Sequence, residues 1–290
     1  MKDLGKTTYC LGLQLEHTPE GILMHQSNYT RKVLERFNMK DAYPLKTPMV
    51  MRSLDVEKDP FRPKEEDEKL LGIEYPYLSA IGALMYLANG TRPDIAFAVN
   101  LLARFSSVPT KHHWNGIKHI LRYLRGTEDI GLFFKKNGDI TIVGYTDAGY
   151  LSDPHKAISQ TGYVFLFGGT AISWKSTKQS IVATSTNYSE IIALFEATKE
   201  CTWLRRMSSH VLNTCGITIA PSPTIIYEDN KACIAQIQSG YIKSNVTKHI
   251  SPKFFSTHEL QKNEEIMVTQ QGENIPKYTE ILIIKQLSRR

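Results

Sequence analysis

Three acids stand at places in the chain where side chains could do chemistry. Asp147 closes the β-branched run 140–147 (ITIVGYTD), Glu190 opens a long helical pattern from about Ser189 to Leu212, and Asp229 follows the strand-like run Thr224–Tyr227. If the strands ending at Asp147 and before Asp229 are parallel neighbours, both aspartates lie at one edge of a sheet, and the first helical turn can bring Glu190 over them. Clustered carboxylates repel one another unless cations neutralise them, and hard oxygen ligands suit Mg²⁺ or Mn²⁺. Two such ions about 4 Å apart can activate a water and stabilise the leaving oxygen of a phosphodiester. Each acid also has a structural reading. Asn187-x-x-Glu190 fits a helix capping box, Asp229 fits a cap for a helix starting near Asn230, and Asp147-Ala148-Gly149 fits a turn. Spacing alone leaves both readings open.

The elements that must position these acids can be read from residue patterning. The runs 140–147, 161–168 and 170–175 predict three consecutive strands joined by hairpins. The long helix follows, then a strand at 224–227, a helix from Asn230 to about Gln238, a helix near Pro252–Gln261 and a strand at Ile266–Gln270. This β-β-β-α-β-α order implies an α/β fold with a mixed sheet whose fourth strand runs parallel to the first.

The first half of the chain has a different texture. Residues 8–24 predict two short strands around a Pro19-Glu20-Gly21 turn, and 27–38 a helix capped by Ser27 or Asn28. Residues 55–68 (DVEKDPFRPKEEDE) hold seven acidic and three basic residues and read as an exposed connector; 69–136 hold nine basic against four acidic residues. Helical segments in 75–125 are separated by breakers at Arg92-Pro93 and Val108-Pro109. Lys111, Lys118, Arg122 and Arg125 share one helical face, opposite Trp114, Ile117, Leu121 and Leu124. That face is either an ordinary solvated surface or a track for a phosphate backbone, helped by His112, His113 and His119.

Composition excludes several classes. With 41% hydrophobic residues, 22% charged and a net charge of +6 over 290 residues, the chain is neither disordered nor collagenous, and its charge alone does not make it a nucleic-acid binder. Its longest apolar stretch, Ile81–Ala88, falls far short of the roughly 20 residues that cross a bilayer. The four cysteines form no CxxC pair, which argues against a zinc site or a disulfide framework and for a reducing, intracellular setting.

Longer motifs carry a family resemblance. Residues 144–153 (GYTDAGYLSD), 161–175 (TGYVFLFGGTAISWK), 182–204 (VATSTNYSEIIALFEATKECTWL), 225–234 (IIYEDNKACI) and 247–262 (TKHISPKFFSTHELQK) closely resemble the ribonuclease H domain of Ty1/copia-type LTR-retrotransposon Pol polyproteins. The stretches CLGLQLEH, GILMHQSNYTRKVLERFNM and YLSAIGALMYLANGTRPDIAFAVNLLARF resemble the end of the reverse-transcriptase region and the connection after it. The resemblance implies a ribonuclease H-like mixed sheet preceded by a smaller α+β thumb and connection region. It divides the chain into the end of the reverse-transcriptase region (1–54), the acidic connector (55–68), a helical connection (69–136) and the ribonuclease H-like domain (137–290, divergent from about 272).

It further implies catalytic, metal-holding roles for Asp147, Glu190 and Asp229, two Mg²⁺ or Mn²⁺ ions, and cleavage of the RNA strand of an RNA–DNA hybrid held partly by Lys111, Lys118, Arg122 and Arg125. His249 is a further conceivable site residue, read more readily as a cap or packing group. Other Pol and Gag products are implied partners, and the cytoplasm (in a virus-like particle) or the nucleus the setting, with no membrane. Two departures matter. The family's Tyr-x-Asp-Asp polymerase motif is missing, because the chain has no Asp-Asp pair, so no DNA synthesis is expected of it. The family's closing Asp is also missing from GENIPKYTEILIIKQLSRR, leaving Glu280 as the nearest fourth carboxylate. The alternative expectation is a decayed fragment that binds nucleic acid without turnover.

Overall fold

A computed structural model of the chain describes residues 5–50, 55–217, 222–240 and 251–272. The chain divides into two compact units between Gly138 and Asp139.

In the first unit, β1 (Tyr9–Cys10), β2 (Leu13–His17) and β3 (Gly21–His25) form an antiparallel meander. Helix α1 (Ser27–Arg36) follows, with Gln26 rather than Ser27 or Asn28 at the cap position. The cap comes from outside the helix, since the Asn28 main-chain N–H donates to the Gln14 side chain on β2 at 2.8 Å. Helices α2 (Tyr77–Gly90), α3 (Ala96–Ala103) and α4 (Lys111–Arg125) break at the two expected prolines. An unexpected strand, β4 (Leu132–Lys135), then pairs antiparallel with β3. Residues from both ends of this unit therefore share one sheet.

The core of this unit includes Leu84, Leu87, Ile95, Leu101, Leu102, Ile117, Ile120, Leu121 and Leu124, all essentially inaccessible. Trp114, Ile117, Leu121 and Leu124 take the inward face of α4 as its periodicity implies. Arg92 is buried with them at 1% exposure. Its guanidinium forks onto Asp94, donates from Nη1 to the Thr127 carbonyl at 2.8 Å and from Nη2 to Thr127 Oγ1 at 2.7 Å; the Tyr123 hydroxyl completes Asp94 at 2.7 Å. A buried charge so fully paired is tolerated, whereas removing its partner typically costs about 3–5 kcal/mol.

The acidic connector is only partly exposed. Asp59 and Phe61 are buried, and an added methyl on Gly116 of α4 would collide with the Phe61 ring. The Arg62 carbonyl accepts a hydrogen bond from His113 Nε2 at 3.0 Å. His113 is thus not a surface residue beside the basic stripe. It is fully buried and stacked on Phe105, with Nδ1 accepting the Thr110 main-chain N–H at 3.0 Å at the start of α4.

The second unit holds β5 (Ile142–Asp153), β6 (Ile158–Phe167), β7 (Thr170–Lys178), α5 (Thr186–Thr214), β8 (Thr224–Glu228), α6 (Lys231–Ser239), α7 (Ser256–Lys262) and β9 (Ile266–Gln270). The sheet is mixed, in the order β7-β6-β5-β8-β9: β5, β6 and β7 pair antiparallel, while β8 is parallel to both β5 and β9. Helix α5 buries Ile191, Leu194, Ala197, Cys201 and Leu204, spaced three or four apart, against Phe165, Ile226 and Val268 of the sheet. Phe195 is only half-buried and meets Phe254 edge-on at 5.0 Å. Gly144, near the start of β5, is required by close approach, because a β-carbon there would lie 2.5 Å from the Phe165 ring.

His113 makes the first unit sensitive to pH. Burial holds its imidazole below the ordinary 6.5, outweighing the Arg62 carbonyl and Glu68, which favour the charged form, while the charges of His112 and Arg62 oppose it. The unfolded chain takes up the proton first, so this contribution to stability is complete above about pH 6.5 and is lost as pH falls below it. The urea midpoint of the first unit should therefore drop between about pH 7 and pH 5. The drop should be smaller in His113→Gln.

Candidate metal centre

The site is built by the parallel pairing of β5 and β8. Tyr145 lies beside Tyr227 in register, their rings stacked 5.1 Å apart, so the residues two positions further along, Asp147 and Asp229, reach the same edge of the sheet. Asp147 lies within β5, which continues to Asp153, and so forms no turn with Ala148 and Gly149. Glu190 lies one turn inside α5 rather than at its start, because the helix begins at Thr186. Oxygens of Asp147, Glu190 and Asp229 all lie within 4.8 Å of one another.

The structural roles open to these acids are taken by other residues. Ser185 caps α5, its hydroxyl accepting the Tyr188 N–H at 3.1 Å, while Asn187 donates to Gln236 at 2.6 Å. Asn230 caps α6 by accepting the Cys233 N–H at 3.0 Å, which leaves Asp229 exposed beside the cluster. Asp147 and Glu190 are buried, at 3% and 1% exposure.

Sequence reasoning missed a fourth acid, Glu228. It is completely buried; Oε1 accepts the Asn230 N–H at 3.1 Å, and Oε2 has no hydrogen-bond partner among the described residues. Burial above all, then the charges of Glu190, Asp147 and Asp229, raise its carboxyl well above the ordinary range against the pull of the Asn230 N–H. The Cys233 thiol is pushed up as well, by burial and then by Glu228, Glu190 and Asp229. A signal for Glu228 was available in the alternation of β8, where Thr224, Ile226 and Glu228 are the inward positions.

This donor set is all carboxylate, hard and concentrated, and it fits a divalent ion of the Mg²⁺ or Mn²⁺ type. Asp147 and Glu190 would be rigid ligands and Asp229 the solvent-facing one. The suggested fourth ligand Glu280 and the further candidate His249 lie outside the described residues.

The basic stripe lies on the outer face of α4, with two of its members engaged. Arg122 Nε donates to the Tyr43 carbonyl at 2.8 Å and Arg125 Nε to the Lys40 carbonyl at 2.6 Å, with Arg125 also paired to Glu128. His119 lies at 3.0 Å from the Thr47 carbonyl. These three side chains hold the 40–47 loop to α4. Lys111 and Lys118 are exposed, and His112 reaches Glu68 at 3.2 Å. No described helix is long and apolar enough to cross a membrane.

No protein-family model matches the chain. It is 38% identical over 270 residues to the retrovirus-related Pol polyprotein from transposon TNT 1-94 of Nicotiana tabacum, a match covering 92% of this chain and 20% of that protein. It is 34% identical over 223 residues to the Pol polyprotein from transposon RE2 of Arabidopsis thaliana, covering 77% of this chain and 14% of that one. The chain thus spans a fifth or less of the length of these relatives. Among solved structures, LC11-RNase H1 in complex with an RNA/DNA hybrid aligns with 46% of this chain and 86% of its own, at 19% identity and a TM-score of 0.32.

A structural role and a metal-binding role for the acids differ in their effect on stability. In EDTA, Asp147→Asn should leave the melting temperature of the second unit unchanged or higher, since it relieves repulsion within the cluster. Saturating Mg²⁺ or Mn²⁺ should stabilise the wild type, by about 2.7 kcal/mol at 100 times Kd, and leave Asp147→Asn unmoved. Thermal melts with and without the ions measure both effects.

Proposed function

The chain belongs to the retrovirus-related Pol polyproteins of Ty1/copia-type transposons, and we propose that its second unit is a ribonuclease H that uses two divalent ions to cut the RNA strand of RNA–DNA hybrids. The observation carrying this reading is the convergence of Asp147, Glu190 and Asp229 from three separate elements to within 4.8 Å. When bound, the ions supply an activated water and neutralise charge on the leaving oxygen. The chain's own contribution is positional. Asp147 and Glu190 are fixed by burial, so the ligand set is assembled before substrate arrives, and the exposed Asp229 faces the side from which a phosphodiester can approach. A site built from carboxylates has no base-reading side chains, which suits selection by groove shape and 2′-hydroxyl rather than by sequence.

The first unit contributes positive surface. Lys111 and Lys118 on α4 contact the phosphate backbone of the hybrid, while Arg122 and Arg125 divide their donors between that backbone and the 40–47 loop. Further Pol and Gag products are the chain's proposed partners in the cytoplasm or nucleus.

Incubation with a labelled RNA–DNA hybrid and Mg²⁺ or Mn²⁺ tests the activity. Wild type should cleave the RNA strand, and Asp147→Asn should lose more than roughly 100-fold in rate, since even the outer partners of metal ligands are worth 10–100-fold. A well-folded wild type that binds the hybrid without cutting it would replace this reading with nucleic-acid binding alone. For the basic face, Lys111→Gln with Lys118→Gln should lower the slope of log affinity against log salt by about 2, near 0.9 per lost phosphate contact. These lysines give a cleaner test than Arg122 or Arg125, whose removal also frees a loop.

A further inference from the structure

Gln179 directly follows β7 and is 3% exposed. Its main-chain N–H continues the sheet by donating to the Ser159 carbonyl at 2.9 Å. Its side-chain Nε2 donates to two acceptors on different elements: Thr161 Oγ1 on β6 at 3.1 Å and the Ser189 main-chain carbonyl on α5 at 2.9 Å. The other end of the same amide, Oε1, is buried with no hydrogen-bond partner among the described residues.

Both acceptors adjoin the metal centre. Thr161 is paired across the sheet with Ala148, and its neighbour Gly162 with Asp147. Ser189 is the residue before Glu190, and both Thr161 and Ser189 are at most 1% exposed. One amide therefore ties the strand beside Asp147 to the helical turn that carries Glu190. As packing, a glutamine here is a poor choice, because a buried acceptor without a partner carries a desolvation penalty that an apolar side chain of the same length avoids. What the amide provides is a fixed separation between two elements whose carboxylates repel each other before any cation is bound.

We infer that Gln179 is a positioning residue that sets the gap between Asp147 and Glu190, and through it the affinity of the centre for divalent ions. The inference rests on the metal-centre reading above and adds to it a residue that touches neither ion nor substrate.

Gln179→Met keeps the length of the side chain and removes both donor bonds. Mn²⁺ binding to the substrate-free protein, followed by electron paramagnetic resonance or calorimetry, should weaken about tenfold, as for other partners outside a ligand set. The Mn²⁺ concentration giving half-maximal cleavage should rise by the same factor, with most of the rate recovered at saturating Mn²⁺. The melting temperature in EDTA should stay within a few degrees of wild type. Thr161→Val, which removes one of the two bonds, should shift Mn²⁺ affinity in the same direction by less, and it carries the test alone if Gln179→Met does not fold. Unchanged Mn²⁺ affinity in the folded variants would overturn the positioning role while leaving the metal centre intact. A wild-type protein that binds no Mn²⁺ would overturn the metal centre and this inference together.

Discussion

Repulsion among carboxylates forced into one place is the constraint on which the second unit depends. Asp147, Glu190 and Asp229 meet within 4.8 Å, two of them out of contact with water, and the buried Glu228 adds a fourth acid close by. Electrostatics favours separating such groups, so the fold must supply the rigidity that holds them. That rigidity comes from apolar burial: α5 lies on the sheet through Ile191, Leu194, Ala197, Cys201 and Leu204, and Gly144 lets the Phe165 ring close over the first residues of β5. Neutral bonds at the edges complete the hold, with the Ser185 and Asn230 side chains capping the N-termini of α5 and α6.

The topology turns this rigidity into a site. A three-stranded meander followed by a helical crossover returns the chain to β8 beside β5 and parallel to it, and only parallel strands bring the ends of both to one edge. The Tyr145–Tyr227 stack marks the register, and Asp147 and Asp229 follow from it by strand period. Glu190 arrives from a different direction, along a helix whose first turn is fixed by Ser185 and by the Gln179 amide.

The first unit shows the same division between holding and presenting. Arg92 is buried and wholly used in binding Asp94 and Thr127, whereas the outer face of α4 keeps Lys111 and Lys118 in water. Arg122 and Arg125 fall between these cases, each giving its Nε donor to a loop carbonyl. A cation on an amphipathic helix can serve tertiary structure and still contribute positive surface, because a guanidinium has five donors to distribute.

Period and residue type were enough to read the order of elements in the second unit, the inward face of α4, and the breaks at Arg92-Pro93 and Val108-Pro109, because helix and strand periods are local properties of the chain; for the three acids they left a capping role and a metal-holding role both open. Family motifs supplied the chemistry proposed for those acids. Cap assignments at Asn187, Asp229 and Ser27 could not be settled locally, since several residues within one turn offer suitable oxygens and tertiary packing selects among them. The strand at Leu132–Lys135 was illegible for a related reason: four residues make a strand only through a partner more than a hundred positions away. Glu228, His113 and Gln179 show the same limit most clearly. Each is a polar residue whose role comes from being sealed beneath other elements, and burial is decided by what the rest of the chain packs over it.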